Sequence, residues 1–173
     1  MKILVTAAAL VLIGAAAGAV LVYSGWYNVA ASEPHTPLMY KILTTTARKS
    51  IEARAKGIAV PDFNRDQIAK GAVHYKENCV VCHGAPGVEL GELGKGLTPP
   101  PPEMPEAAQR WRPAELYWIV KHGIRLTGMP AWGTTHSEEE LWAIVAFLTE
   151  MPKLDPRGYE QLADSAEHRP HQH

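Results

Sequence analysis

This 173-residue chain lacks the materials for several kinds of protein. It has only two cysteines, too few for a disulfide framework, and they lie too close together to staple a fold. Lysine and arginine number 17 against 18 acidic residues, a net charge of -1, so no polyanionic partner is implied and nucleic-acid binding is disfavoured. No segment alternates apolar and polar residues long enough to read as a strand, and no internal repeat is present, which excludes a β fold and a solenoid. The histidines show no zinc-finger pairing within the central region, and no constellation of nucleophile, base and acid stands out.

What is present begins at the N-terminus. After Lys2 runs "ILVTAAALVLIGAAAGAVLVY", an uncharged stretch of about 20 residues, enough at ~1.5 Å per residue to cross a ~30 Å hydrocarbon core. A cleaved signal peptide has a shorter apolar core, so residues 1–31 read as a retained anchor, with cleavage after Ala31 as the other outcome. Tyr23, Trp26 and Tyr27 follow, ring types that favour the membrane–water interface. The single basic residue ahead of the span puts the rest of the chain outside the cytoplasm, on the periplasmic side of a bacterial inner membrane.

Residues 32–61 form a linker whose 36–57 portion reads as an amphipathic helix with a basic face, either solvated, laid on anionic lipid or docked on an acidic partner. Asn64 and Gln67 open a second helix at capping-box spacing, which runs straight into the cysteines with Ile68, Ala72 and Tyr75 on one face. Residues 82–108 are a glycine- and proline-rich loop, too long for a compact domain unless it wraps something. Helices over 112–123 and 137–151 follow, the latter capped by Ser137 and Glu140. Residues 153–173 read as a polar, disordered tail whose His168, His171 and His173 resemble a weak copper or nickel site.

The chemistry concentrates in "KENCVVCHGAPG", residues 76–87. Zinc needs four ligands, and Cys79 and Cys82 supply two, with adjacent His83 badly placed for the same tetrahedral centre. A thioredoxin-like pair needs a βαβ setting with the first cysteine at a helix N-terminus, whereas here the helix precedes the motif. Cys-x-x-Cys-His is the attachment sequence of c-type haem: two thiols add to the two vinyl groups, and His83 falls under the iron. One covalent haem c therefore consumes both cysteines.

With this motif, the preceding helix and the export segment, residues 62–152 resemble a class I c-type cytochrome, an all-α fold of a few helices around one haem. The resemblance implies that Gly71 and Tyr75 on the first helix of this region meet Ile144 and Phe147 on the last. It also implies that Met129 in "TGMPAWG" is the sixth iron ligand, a place consistent with a loop methionine flanked by Gly128 and Pro130. Met104, also followed by proline, is the alternative; His74, His122 and His136 are further candidates. Trp118, Trp132 and Trp142 are expected to pack the haem pocket.

His/Met ligation leaves no open iron position, which points to single-electron transfer without catalysis on a substrate. The expected partners are a redox donor and acceptor, or other subunits of a respiratory or periplasmic membrane complex. A haem enzyme or gas sensor with a displaceable methionine is the alternative.

Overall fold

The computed structural model describes residues 1–167, and side chains as far as Asp164. The proposed histidine metal site at 168, 171 and 173 lies outside the described residues. The chain divides into two units, Met1–Glu33 and the remainder from Pro34 onward. The first unit is essentially one helix, α1 (Lys2–Tyr23), apolar all round with no buried residue, and it is long and apolar enough to cross a membrane.

The second unit contains α2 (Pro37–Arg54), α3 (Arg65–Asn78), the single turns α4 (Val80–His83), α5 (Glu92–Lys95) and α6 (Met104–Ala108), then α7 (Pro113–His122), α8 (Glu138–Glu150) and α9 (Pro156–Glu167). Among the described residues the only β pairing is an isolated bridge between Ala85 and Val88. The molecule is all-α, as the sequence pattern requires.

The helix starts follow their caps. Asn64 Oδ1 accepts from the Gln67 N–H at 2.9 Å while Gln67 Oε1 accepts from the Asn64 N–H at 3.1 Å. Ser137 and Glu140 form the same reciprocal pair at the start of α8. The Glu115 carboxylate serves α7 differently: it accepts from the Arg112 N–H at 2.8 Å and from that residue's guanidinium at 2.6 Å. This partnership holds the Glu115 carboxyl below its usual range, the guanidinium hydrogen bond contributing most.

The core is the crossing of α3 and α8. Gly71 is buried there because a Cβ would collide with the backbone carbonyl of Ala143 and reach Phe147 Cβ. Four residues on, the Tyr75 and Phe147 rings pack at 5.3 Å between centroids, tilted 52°. The expected contact of Ile144 with this crossing is different in detail: Ala143 meets Gly71, and Ile144 turns toward the cavity described below.

Two expectations from sequence change. Residues 156–167 are not a disordered tail but α9, which packs on α3 and buries Tyr159 and Ala163. The Tyr159 ring lies 6.0 Å from Phe147, and Asp164 accepts from Lys76 Nζ at 2.9 Å. The second change concerns α2, which is more than a link. It packs against α7, and its C-terminal half buries Ile51 and Ala55, while Leu38 and Ile42 in its N-terminal half stay exposed.

Candidate cofactor site

The cysteine motif is held as a single helical turn. Cys79 closes α3 through its N–H to the Tyr75 carbonyl at 2.9 Å, and the Cys82 and His83 N–H groups both donate back to the Cys79 carbonyl. Gly84 then reverses the chain with φ +62, and its buried carbonyl accepts from the Tyr75 hydroxyl at 2.7 Å. A core aromatic thus fastens the residue directly after His83. Burial is the main reason the Tyr75 hydroxyl pKa rises above its ordinary value.

Both thiols are free and only partly covered. Burial, with the neighbouring Cys82 thiol as a smaller cause, pushes the Cys79 thiol up to about 12, so it is protonated near neutral pH. His83 Nδ1 lies 2.9 Å from the Pro102 carbonyl, so a proton on Nδ1 donates there and Nε2 remains free to bind a metal. Desolvation lowers the imidazole pKa, with the Pro102 contact opposing it, and favours the neutral ring that a metal ion requires. The proline-rich loop therefore wraps the motif and supplies the acceptor that orients its histidine.

The methionine loop is fixed just as locally. Gly123 ends α7 with φ +63, and a side chain there would meet the Met129 carbonyl and Pro130 at 2.7 Å. Only glycine satisfies both the conformation and the space. The Thr127 hydroxyl donates to the Ile124 carbonyl at 2.7 Å and accepts from the Met129 N–H at 3.1 Å. The Ile124 N–H returns to the Met129 carbonyl at 3.4 Å.

These pieces converge. Cys79, Cys82, His83 and Met129 line one cavity of about 440 Å³, within the range of small-molecule and cofactor sites. Tyr75, Leu116, Val120, Ile144 and Leu148 supply its apolar wall, and Pro99 to Pro102 cover another side. Met104 lines it too, but as the first residue of α6, buried in the core.

Among the other candidates, His122 is exposed beside Trp118 and lines a separate surface groove. His74 and His136 pair with each other at 5.6 Å between ring centroids, with Glu140 Oε1 3.8 Å from His74 Nε2. None of these three histidines lines the cavity.

The tryptophan expectation is corrected in part. Trp132 lines the cavity, but Trp142 stacks on Tyr117 at 4.1 Å and Trp118 borders the surface groove. Trp111, which the sequence reading passed over, does line it, as do Tyr40, Thr44, Ala47, Arg48 and Ile51 of α2. The signal available was the α2 apolar stripe ending at Ile51, which needed a partner surface.

An apolar helical cage with a Cys-x-x-Cys-His turn and a loop methionine on its lining suits a tetrapyrrole bound through two thiols and one or two axial ligands. Among the described residues no three His, Cys, Asp or Glu side chains gather as a bare metal site, so the donor set does not suit a zinc centre. Fold and lining together define an all-α domain of the class I c-type cytochrome kind, which carries electrons by haem. Residues 66–148 match the family described as cytochrome c oxidase, cbb3-type, subunit III. Over 103 residues the chain is also 28% identical to a dihydro-heme d1 dehydrogenase of Pseudomonas aeruginosa. That match covers 60% of this chain and 19% of the relative's length.

Proposed function

We propose that this protein transfers single electrons through one covalently attached haem c. Cys79 and Cys82 form the two thioethers, His83 is the proximal ligand and Met129 the distal one. The observation that carries the reading is that all four side chains line a single cavity. The haem, when bound, supplies an iron centre that gains and loses one electron.

The chain's own residues fix how that centre is held. Pro102 orients His83 from the ring edge away from its free nitrogen. Met104 starts only two residues after Pro102 and so belongs on the histidine side, whereas Met129 comes from the separate loop after α7. Thr127 and Gly123 hold the Met129 backbone, which fixes where this loop residue leaves the chain. Ligation by His83 and Met129 would favour the reduced iron and raise the potential. Apolar walls restrict water, and an iron held by both residues would leave no place for a substrate.

In this reading α1 anchors the domain in the bacterial inner membrane with the haem on the periplasmic side. The protein serves as an anchored carrier or as the cytochrome subunit of a respiratory or periplasmic redox complex. Similarity to part of a dehydrogenase supports a role as an electron relay for an oxidoreductase.

The test is spectroscopic. Protein exported in a host that matures c-type cytochromes should keep its haem through denaturation. It should show the weak methionine-to-ferric-iron charge-transfer band and bind carbon monoxide slowly or not at all when reduced. Absence of that band with rapid carbon monoxide binding would instead establish the displaceable-ligand enzyme or sensor.

A further inference from the structure

The cavity lining is mostly apolar, and its fixed charges share one sign. Among the described residues, Arg48 and Arg110 are the only lysine or arginine residues on the lining, and no aspartate or glutamate lies on it. The Arg48 guanidinium carbon lies 4.8 Å from the Trp111 ring centroid, and Arg110 immediately precedes Trp111 in the chain. Trp111 lines the cavity as well, as do Tyr40 and Thr44 of α2.

The existing partners leave both arginines capacity. Arg48 is 3.8 Å from Glu52 and Arg110 is 3.6 Å from Glu106, both looser than a direct charge-assisted hydrogen bond. Arg112 and Glu115, at the start of α7, satisfy each other at 2.6 Å. The described lining is therefore net positive, with one forked donor on α2 and one in the segment after α6.

A haem carries two carboxylates on the edge of the macrocycle away from its vinyl groups. If the vinyls join Cys79 and Cys82, the carboxylates need a cationic edge elsewhere on the same cavity, because unpaired carboxylates beside apolar walls are costly. We propose that Arg48 and Arg110 bind the two carboxylates of the haem. Resting on the haem reading above, the proposal makes α2 part of the cofactor site. Arg48 lies outside the family-matched segment 66–148. α2 thus closes one edge of the cavity, and Arg48 binds the cofactor directly.

The experiment uses the full-length holoprotein purified in detergent. Haem that stays with the denatured polypeptide is verified first; a wild-type chain without it overturns the functional reading and not the clamp alone. Reduction potentials are then measured for R48Q, R110Q, R48K and K49Q. Lys49 is on the same helix and highly exposed, its Nζ 2.8 Å from Glu52, and it is absent from the cavity lining. K49Q therefore reports the effect of losing a charge from α2 without losing a cofactor contact.

Removing a cation that pairs a carboxylate leaves negative charge near the iron and favours the ferric state. R48Q and R110Q should each lower the potential several times more than K49Q does, and R48K should recover most of the loss. Should R48Q destabilise the fold, R48K and R110Q still carry the comparison. Shifts for R48Q and R110Q no larger than that of K49Q would overturn the clamp, with haem attachment unaffected.

Discussion

At His83 one hydrogen bond decides which nitrogen is available, and at Met129 one turn fixes the backbone. The two methionines of the cavity make the ligand assignment testable by a paired substitution. M129L should abolish the charge-transfer band, lower the potential and open the reduced iron to carbon monoxide. M104L should leave all three nearly unchanged and cost about 1 kcal/mol or less of stability, as volume-conserving core swaps do. The reverse pattern would move the sixth ligand to Met104.

Tyr75 offers a second residue-level test. Y75F keeps the ring packed on Phe147 but leaves the buried Gly84 carbonyl without its donor, at a cost of about 1–3 kcal/mol. Denaturant midpoints of the holoprotein would measure it. Glu115 gives a pH-dependent one. Its folded pKa is depressed, chiefly by Arg112, so between the folded value and an unfolded value of about 4.3 the unfolded chain binds more protons. The stabilisation from Glu115 is thus present above about pH 4.3 and is lost as pH falls through the folded value. E115Q should lower stability at neutral pH and flatten the acid limb of the melting-temperature profile. An unchanged acid limb would show that the pair contributes nothing to folding.

At the scale of elements, the α3–α8 crossing depends on the absence of one side chain. G71A places a methyl against the Ala143 carbonyl, where backbone must yield rather than a flexible side chain. Overpacking of that kind costs about 1–3 kcal/mol, and the melting temperature of the holoprotein should fall by several degrees. The two helices were legible in the sequence because capping boxes marked both starts, while their crossing at Gly71 was an implication of the family resemblance. The Cys-x-x-Cys-His motif was legible because its information is local, whereas the choice of Met129 leaned on the resemblance.

What stayed hidden was surface that becomes interior only on folding. The α9 helix follows an Asp155–Pro156 start, and Asp155 Oδ1 accepts from the Gly158 N–H at 2.7 Å, but few residues mark its buried side. Tyr159, Leu162 and Ala163 amid charge look like a tail until α3 is there to receive them. The tryptophans misled in the same way, since aromatic size says that a ring is buried but not in which cavity. Y159A should cost roughly 3 kcal/mol if α9 is a packed element, and close to nothing if it is a tail. Urea denaturation distinguishes the two.

At the scale of the whole molecule, the proposed membrane anchoring rests on α1. The α1 segment is 22 residues long, about 33 Å at 1.5 Å per residue, against a hydrocarbon core of about 30 Å. Its side chains are exposed along its whole length, and no polar face is available for a water-soluble partner surface. The unit from Pro34 onward carries its own core and all the described residues of the cavity lining.

Replacing residues 1–33 with a cleavable export sequence should therefore release a haem protein into the periplasm with an unchanged spectrum and potential. The full-length chain should stay in the membrane fraction after high-salt and alkaline washes, which strip proteins held by charge alone. If the full-length chain is instead recovered as a soluble species processed near Ala31, α1 is a leader and the carrier is free. A spectrum altered by the replacement would show that α1 contributes to the haem environment, contrary to the separation of the two units.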